Sequence, residues 1–400
     1  MVNRMKPEDK NVLVVFGTRP EAIKLAPVIK VLEGASHIHT LTCVLRQQKE
    51  LLDDPLRVFA IQPDFDIDMP FGNHGMLGSG NIFKKAWSAL KVGIGLVRFL
   101  LVMKRRNIAM VVVQGDTSTV FLAAFLAFYF KIPVAHVEAG LRSGDKYSPF
   151  PEEVNRKLTG VIAELHFAST ESARQNLLKE NISNDKIWMT GNTVLDALRL
   201  VMESHSSPAA QEKLLLSFKE RYGIALDKPE QKVVLVTAHR RESFGEGMKN
   251  IADAIAELAH KLPDAIFVYP VHPNPNVRDV VVPKLNTIKN VYLVEPLGYE
   301  TFTFLMSKAD IILTDSGGVQ EEVSLLGKPI LVMREVTERP EGVDSGNALL
   351  VGTDKQKIVR ETLRLLDDKA ARVAMSQKHY AYGDGHASER IVKAIQEFLS

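Results

Sequence analysis

The chain has 400 residues, of which 46% are hydrophobic and 24% are charged, and this length is typical of two folded domains. Its 50 Lys and Arg residues nearly balance its 48 Asp and Glu residues, which argues against a general attraction to nucleic acids or membrane surfaces. The single cysteine, Cys43, excludes an internal disulfide bond and a cysteine zinc site, and it favours a reducing cytoplasm.

Short apolar runs recur along the chain with helical stretches between them. Runs that are apolar without alternation are buried on both faces, as parallel strands of an α/β fold are. The predicted strands are Val12–Phe16, Met110–Val113, Val233–Val236, Ile266–Tyr269, Val291–Val294, Ile311–Thr314 and Ile330–Met333. Because the strand–helix alternation occurs twice, we expect an α/β protein of two Rossmann-like, doubly wound domains that face a cleft.

The polar stretch Glu203–Gln211 separates the two series of strands and is the predicted linker. We therefore expect an N-terminal domain over residues 1–203 and a C-terminal domain over residues 204–380. Residues 381–400 include an amphipathic helix that could return to the N-terminal domain.

Two long apolar stretches in the first half, Trp87–Met103 and Val120–Phe130, raise the question of a membrane span. Lys91 and Arg98 interrupt the first stretch, and the second is about three turns long, so neither reaches the ~20 residues that a spanning helix needs. Both stretches are predicted to be buried helices, with a helix lying on a membrane surface as the alternative for the first.

The first motif, Gly17-Thr-Arg-Pro-Glu-Ala-Ile-Lys24, directly follows a strand and opens a helix. A glycine turn and a helix N-terminus at the end of a parallel strand form a common binding site for anions. Arg19 and Lys24 add two cations, so we predict that they bind a phosphate, although a well-capped helix alone would also explain the pattern.

Three carboxylates then occur at the ends of predicted elements: Asp116 and Glu138 after strands, and Glu152 after the double proline of Ser148–Pro151. The carboxyl ends of neighbouring parallel strands meet where α/β proteins bind ligands. The three acids therefore predict a group that moves protons. Helix capping by Asp116 and a favourable helix dipole at Glu152 are the structural alternatives.

In the second half, Thr237-Ala-His239-Arg240-Arg241 follows a strand. A histidine beside arginines can neutralise a diphosphate and exchange protons near neutral pH.

Asp315-Ser316-Gly317-Gly318 follows another strand and opens a helix, which predicts a phosphate cradle of backbone N–H groups. Glu322, one turn further, can bind a pair of ribose hydroxyls. The loops that carry His272 and Arg339 add further basic groups, with a purely structural role as the alternative.

Nine motifs occur in order between about Asn11 and Thr353: GTRPEAIKLAPV, QGDTST, HVEAGLRSGDKYSPFPEEVNRKLTG, TGNTVLDAL, TAHRRESFG, PVHPNP, EPLGYETF, TDSGGVQEE and REVTERPEGV. Together they closely resemble the non-hydrolysing UDP-N-acetylglucosamine 2-epimerases of bacteria. The resemblance implies a glycosyltransferase-B-type architecture and reversible inversion at C2 between UDP-GlcNAc and UDP-ManNAc. In that scheme the C2 proton is removed while UDP leaves C1, and UDP then returns to bound 2-acetamidoglucal.

The resemblance also implies roles for individual residues. Asp116, Glu138 and Glu152 are expected to handle protons, without a decision on which one takes the C2 proton, and His239 is expected to assist the departure of the diphosphate. The expected substrate contacts are Arg19, Lys24, Arg142, Arg240, His272, Leu297, Phe302, Ser316, Gly317, Gly318, Glu322 and Arg339.

The resemblance further implies that neither a cofactor such as NAD nor a metal is needed, and that the protein is a cytoplasmic homodimer that supplies a surface polysaccharide precursor. No nucleic acid or membrane partner is expected. Three other functions stay open: a UDP-sugar transferase of the same fold, a hydrolysing epimerase that releases ManNAc and UDP, and a sensor that binds the nucleotide sugar without turnover.

The sequence departs from the family where a second UDP-GlcNAc molecule binds and activates many members. Those members have Gln-His-Arg after the second strand, whereas this chain has Gln47-Gln48-Lys49. The stretch Met69–Asn81 has no clear match either. We hypothesise that activation by a second substrate molecule is lost, and altered hexosamine specificity is a further possibility in this region.

Overall fold

A computed structural model describes residues 9–47, 49–69, 82–228 and 230–400, without the side chains of residues 49–51 and 82–86. The chain divides into two compact units. The first unit runs to Ala197 and also includes Gly383–Ser400, and the second is Leu198–Tyr382.

The first unit contains a seven-stranded sheet in which neighbouring strands are parallel. In chain order its elements are β1 Lys10–Phe16, α1 Arg19–Glu33, β2 Ile38–Arg46, α2 Lys49–Val58, β3 Phe65–Asp68, α3 Ile82–Arg105, β4 Ile108–Gln114, α4 Ser118–Tyr129, β5 Val134–Ala139, α5 Glu152–Ile162, β6 Leu165–Ala168, α6 Glu171–Lys179, β7 Ile187–Met189 and α7 Thr193–Ser204. Right-handed crossovers place α1 and α2 on one face of the sheet and α3 to α6 on the other.

The strand order β3-β2-β1-β4-β5-β6-β7 places a topological switch point between β1 and β4, where the chain turns to opposite sides of the sheet. The turn after β1 begins at Gly17, where a Cβ atom would lie 2.5 Å from the Leu45 carbonyl oxygen. Only glycine therefore allows β1 to end so close to β2. Glu21 fixes the same turn because its Oε2 accepts the Gly17 N–H at 2.7 Å.

The second unit contains a six-stranded sheet of parallel neighbours in the order β10-β9-β8-β11-β12-β13. Its elements are α8 Pro208–Tyr222, β8 Val233–Thr237, α9 Glu246–Lys261, β9 Ile266–Pro270, α10 Pro275–Leu285, β10 Val291–Val294, α11 Tyr299–Lys308, β11 Ile311–Thr314, α12 Gly317–Leu326, β12 Ile330–Val332, α13 Pro340–Asp344, β13 Ala348–Leu350, α14 Lys355–Asp367 and α15 Lys369–Met375. Its switch point lies between β8 and β11.

The last helix, α16 Ala387–Leu399, belongs to the first unit and packs against α1. Its N-terminus is held by Asp196 of α7, which accepts hydrogen bonds from the Ala387 and Ser388 N–H groups at 3.1 and 2.7 Å. Burial raises the pKa of Asp196, and the bonds from Ser388 and Ala387 partly offset this effect. One carboxylate therefore connects α7 with the C-terminal helix.

The two predicted Rossmann-like α/β domains and all seven predicted strands are confirmed. The remaining strands escape the pattern for two reasons. In β2, apolar residues alternate with His39, Thr40 and Thr42, so the run is not continuously apolar. Charged residues or histidines likewise interrupt β3, β5 and β6. In β7 and β13, three residues without a run of Val or Ile do not distinguish a strand.

The prediction of a linker between the two domains is wrong in its local structure. The predicted linker Glu203–Gln211 is helical except at residues 205–207, because Ser207 caps α8 directly after α7 ends.

The prediction that the two apolar helices, α3 and α4, are buried is also wrong, because each is buried along one side only. Their exposed large side chains are Trp87, Leu90, Ile94, Val97 and Leu101 of α3, with Phe125, Phe128 and Tyr129 of α4 and the following Phe130. Among the described residues, no helix combines the length and the apolar character needed to cross a bilayer.

Candidate active site

Glu138 is the most densely hydrogen-bonded carboxylate at the switch point of the first unit. Its two oxygens lie 2.8 and 2.6 Å from the Lys24 ammonium group, and they also accept hydrogen bonds from the Gln114 and Asn192 side-chain amides. The Glu138 side chain is buried, and its backbone has φ of +63°, a left-handed conformation that costs energy for any residue with a Cβ atom. Such strain at a buried carboxylate is typical of a functional site.

Asp116 follows β4 and is held by α5. The Arg156 guanidinium lies 2.8 and 2.7 Å from Asp116 Oδ2, and the Asn155 amide donates to the Asp116 carbonyl oxygen at 2.9 Å. The turn before Asp116 is fixed by His136, whose Nε2 lies 2.7 Å from the Gly115 carbonyl oxygen. Burial would lower the pKa of Arg156, but Asp116 and Glu153 raise it overall, so the guanidinium stays charged beside Asp116.

The first turn of α5 has two adjacent glutamates with different surroundings. Glu153 is buried and accepts the backbone N–H groups of Ser143 and Gly144 at 3.1 and 3.3 Å, so it holds the loop before α5. Glu152, the predicted proton-handling residue, has a buried Oε2 without a hydrogen-bond partner in the described chain. The structure therefore separates a structural glutamate from one with an oxygen available to a ligand.

Three predicted cationic contacts of the first unit make interactions within the chain. Lys24 pairs with Glu138, as described above. Arg142 forms a bidentate pair with Glu180 at 2.8 and 2.6 Å. Arg19 lies 3.9 Å from Asp54. Lys24 thus contacts one of the predicted proton-handling acids. Arg142 instead pairs with the residue that ends α6, and Arg19 lies near a residue of α2.

In the second unit, Asp315 organises the turn that carries His239. This fully buried carboxylate accepts the backbone N–H groups of His239 and Arg240 at 2.6 and 2.7 Å, and its Oδ1 lies 3.4 Å from His239 Nδ1. The imidazole of His272 stacks on that of His239, with ring centroids 5.4 Å apart. The two predicted histidines are therefore neighbours at the end of the second sheet.

The electrostatic environment favours the neutral form of this histidine pair. Burial lowers the pKa of His239, the charge of Asp315 raises it, and that of Arg240 lowers it. Burial also lowers the pKa of His272, and a charge on His239 lowers it further. His272 Nδ1 accepts the Asn274 N–H at 3.2 Å, which places its ring proton on Nε2. The pair thus presents N–H groups rather than two fixed positive charges.

The predicted phosphate cradle lies at the N-terminus of α12, beside two guanidinium groups. A methyl group at Gly317 would lie 3.8 Å from Arg240 Nη2 and 3.9 Å from Arg339 Nη2, and one at Gly318 would meet open space. Arg240 Nε is buried without a hydrogen-bond partner in the described chain. A helix N-terminus and a buried, unpartnered guanidinium nitrogen are features that suit the binding of an anion, and the phosphate cradle stays a prediction.

Ser316 differs from the prediction for this cradle. Its N–H donates to Thr314 Oγ1 at 3.0 Å, so the first backbone donors that face outward from the helix start belong to Gly317 and Gly318. Arg339 also pairs with buried Glu321, which orients its guanidinium toward the helix start.

The residues predicted to bind the nucleoside are grouped around α11 and α12. Glu322 is buried, and its Oε1 accepts the Tyr299 hydroxyl at 2.8 Å. Leu297 is buried before α11, and Phe302 of α11 packs against the second unit's core. These contacts fix Glu322 in one orientation, as a binding carboxylate requires.

Sequence reasoning missed the groups that hold the predicted residues in place. Arg156, Asn192 and Asp315 lie inside motifs that were recognised, but nothing in the spacing shows that Arg156 reaches Asp116 or that Asn192 reaches Glu138. Among the described residues, no three His, Cys, Asp or Glu side chains converge as metal ligands would.

Part of the region that departs from the family lies outside the described residues, namely Gln48 and residues 70–81, and so does the side chain of Lys49. Gln47 is described, and its amide donates to Thr119 Oγ1 at 3.0 Å. The loss of activation by a second substrate molecule stays a prediction.

Comparison with known sequences gives consistent results. The family profile described as UDP-N-acetylglucosamine 2-epimerase matches residues 30–396. A UDP-N-acetylglucosamine 2-epimerase of Yersinia pestis is 48% identical over 385 residues, which cover 96% of this chain and 98% of that protein.

Two solved structures share the fold over nearly the whole chain. The UDP-GlcNAc 2-epimerase from Neisseria meningitidis, bound to UDP-GlcNAc, is 42% identical with a TM-score of 0.85, covering 97% of this chain and 100% of that one. The enzyme from Methanocaldococcus jannaschii, in complex with UDP-GlcNAc and UDP, is 32% identical with a TM-score of 0.77, covering 97% and 99%.

Proposed function

The chain belongs to the UDP-N-acetylglucosamine 2-epimerase family, and we propose that it inverts C2 reversibly between UDP-GlcNAc and UDP-ManNAc without net hydrolysis. The observation that carries this proposal is the placement of charge at the two switch points. Carboxylates gather at the first, and guanidinium groups with a helix N-terminus gather at the second. A reaction that removes a proton from carbon and releases a diphosphate needs both kinds of site.

The reaction runs in two balanced halves. A carboxylate takes the C2 proton as the C1–O bond breaks, so that the electrons of the C2–H bond form the C1=C2 bond of 2-acetamidoglucal and UDP keeps the electrons of the C1–O bond. In the second half, UDP oxygen attacks C1 while an acid delivers a proton to the opposite face of C2. Atoms and charge are conserved without an oxidant or a metal.

The diphosphate is held by the cradle of the second unit. Arg240 and Arg339 neutralise its charge, and the N–H groups of Gly317 and Gly318 bind its oxygens. An N–H group of His239 donates to the departing oxygen, and Asp315 keeps that imidazole in place. Stabilisation of the leaving charge by fixed donors of this kind contributes roughly 2–4 kcal/mol per donor.

The proton chemistry belongs to the acids of the first unit. Glu138 is paired with Lys24 and surrounded by amide donors, which favours its ionised form and suits it to accept the C2 proton. Glu152, with its unpartnered buried Oε2, delivers the proton on the other face. Asp116, paired with Arg156, stabilises positive charge that develops at C1.

We assign the remaining predicted contacts from the resemblance of their motifs to those of the family. Glu322 binds the ribose hydroxyls, and the backbone around Leu297 with the ring of Phe302 binds the uracil. Ser316 shapes the helix start. Arg19, Arg142 and His272 contact the substrate, whereas Lys24 acts through Glu138.

A homodimer is also proposed, and the exposed face of α3 supports it. Trp87, Leu90, Ile94, Val97 and Leu101 follow one another at alternating spacings of three and four residues, which is the pattern of a helix that packs along another helix. We name these five residues the α3 stripe. A second copy of the same chain presents the same stripe, so a two-fold axis would bury both.

A cytoplasmic location and a role in supplying a surface polysaccharide precursor complete the proposal. The location rests on the single, buried Cys43 and on the nucleotide sugar as substrate.

Product analysis tests the proposed reaction. Purified protein with UDP-GlcNAc alone is expected to give an equilibrium mixture with UDP-ManNAc and no accumulation of free UDP. Free UDP with ManNAc would indicate a hydrolysing enzyme, and UDP release that depends on an added acceptor would indicate a transferase.

A further inference from the structure

Asn192 lies directly before α7, in the segment Thr190-Gly-Asn-Thr193, and it is a buried side chain to which the reaction scheme gives no role. Its amide nitrogen donates to Glu138 Oε1 at 2.9 Å, although 54 residues separate the two. Gln114, at the end of β4, donates its own amide N–H to Glu138 Oε2 and is equally buried. Two neutral amides thus supplement the Lys24 ion pair.

The orientation of the Asn192 amide is fixed by the backbone. Its Oδ1 accepts the Val194 N–H at 3.1 Å, which only an oxygen can do, so the NH₂ group must face Glu138. An aspartate at this position would keep the bond to Val194. It would also place a second carboxylate oxygen against Glu138 Oε1. The site therefore distinguishes asparagine from aspartate by its N–H donor and its lack of charge, and not by its volume.

Hydrogen bonds donated to a carboxylate favour its ionised form, and two donors with fixed directions also prevent its rotation. Lys24 supplies charge, but an ammonium group on a long, flexible side chain defines direction poorly. We propose that Asn192 and Gln114 are positioning residues that keep Glu138 ionised and oriented for accepting the C2 proton. This inference rests on the proposed function of Glu138.

The test uses Asn192→Asp, which preserves the bond to Val194 and almost the same volume. We expect kcat near neutral pH to fall by about 10- to 100-fold, the usual effect of losing a group that orients a functional ligand, while KM changes by less than about threefold. The added charge disfavours ionised Glu138, so the acidic limb of the kcat profile moves to higher pH and part of the lost rate returns there.

A merely structural role would give a different result. If Asn192 only stabilises the start of α7, kcat falls by the same factor at every pH, and an acidic limb at the wild-type position would overturn the proposal. Gln114→Glu is the independent second variant, because it places a carboxylate against Glu138 Oε2 from β4. The same displacement of the limb is expected for it.

Asn347→Asp is the matched control. Asn347 is as buried as Asn192, and its amide donates to the Lys328 and Met375 carbonyl oxygens in the second unit. This variant should be less stable in urea but should keep the acidic limb of the wild type. A displaced limb in Asn347→Asp would show that loss of stability alone moves the profile, and it would overturn the inference.

A second readout does not depend on activity. Carbon-13 NMR of protein labelled at the glutamate carboxyl carbons, with the Glu138 signal identified by its absence in Glu138→Gln, follows the ionisation of Glu138 directly. We expect its midpoint to rise in Asn192→Asp and to stay in place in Asn347→Asp. An unchanged midpoint in Asn192→Asp contradicts the positioning role. Failure of the wild type to epimerise UDP-GlcNAc contradicts the proposed function instead.

Discussion

Asp315 and His239 are joined through the backbone as well as through their side chains. Asp315 accepts the His239 N–H at 2.6 Å, and its Oδ1 lies 3.4 Å from Nδ1 of the same histidine. Because the Asp315 side chain is fully buried, its hydrogen bond to the His239 backbone is protected from water, and the end of β11 determines the position of the turn after β8.

The first prediction concerns this contact. In Asp315→Asn, an amide NH₂ or a neutral oxygen replaces the carboxylate that accepts two backbone N–H groups, so the turn loses its fixed position. We expect kcat to fall about 10- to 100-fold in a steady-state assay with UDP-GlcNAc. Asp310→Asn is the control, because Asp310 accepts the Val233 N–H at the opposite end of the same strand. A control with the same loss of kcat would show that the effect is general destabilisation.

The second prediction concerns the phosphate cradle. A methyl group in Gly317→Ala makes ordinary contacts with Arg240 and Arg339 but occupies the space that the diphosphate needs. We expect UDP to bind at least about tenfold more weakly, a loss of about 1.4 kcal/mol, when measured by calorimetry.

The matched control for Gly317→Ala is Gly93→Ala, a change on α3 where an added Cβ meets nothing within 4 Å. Its affinity for UDP should equal that of the wild type. Undiminished UDP binding by Gly317→Ala would place the diphosphate elsewhere.

The third prediction concerns stability in acid. Burial lowers the pKa of His166 to about 4, and the nearby His136 lowers it further, whereas the unfolded chain has the ordinary value of about 6.5. The unfolded state therefore binds more protons between these pH values. The contribution of neutral His166 to stability is complete above about pH 6.5 and is lost as the pH falls toward 4. His166→Gln removes this titratable group. Between pH 7.5 and pH 5, the free energy of unfolding of the variant should therefore fall by ~2 kcal/mol less than that of the wild type.

Urea denaturation at several pH values measures this difference. The neutral-pH stability of His166→Gln is expected to be lower, because a buried side chain changes, so only the dependence on pH is compared. Parallel curves for the wild type and the variant would mean that His166 does not contribute to acid sensitivity.

The fourth prediction concerns the α3 stripe. Ile94 lies at its centre and is exposed, so Ile94→Asp should leave the unit folded but should prevent two stripes from packing together. Sedimentation analysis at micromolar concentration is expected to show a dimer for the wild type and a monomer for the variant. Val373→Asp, a change at an exposed position of α15, should remain dimeric. A dimeric Ile94→Asp protein would exclude the stripe as the interface.

Strand positions and the chemistry of the site could be predicted because they are encoded locally. A continuous Val or Ile run indicates a strand, and an acid at its end lies at the ligand-binding edge of the sheet whatever the rest of the chain does. Asp116 was identified in this way, whereas Glu138 was expected after a strand but lies inside β5.

The supporting contacts could not be predicted because they depend on the assembled fold. Arg156 reaches Asp116 only because α5 packs against α4, and Asn192 reaches Glu138 only because β7 brings the chain back along the sheet. The exposed side of α3 was missed for another reason. An apolar stretch predicts a buried helix, and its sequence does not show that one side of the helix stays exposed in the folded chain.

The most direct test of the account is proton NMR of the protein with UDP-GlcNAc in D₂O, without added NAD or metal. The account predicts UDP-ManNAc that carries deuterium at C2, because the proton delivered to the new face comes from a carboxyl group in exchange with the solvent. UDP-ManNAc that retains the original hydrogen at C2 throughout would contradict proton transfer by these acids, and free UDP with ManNAc as the final products would contradict the non-hydrolysing reaction.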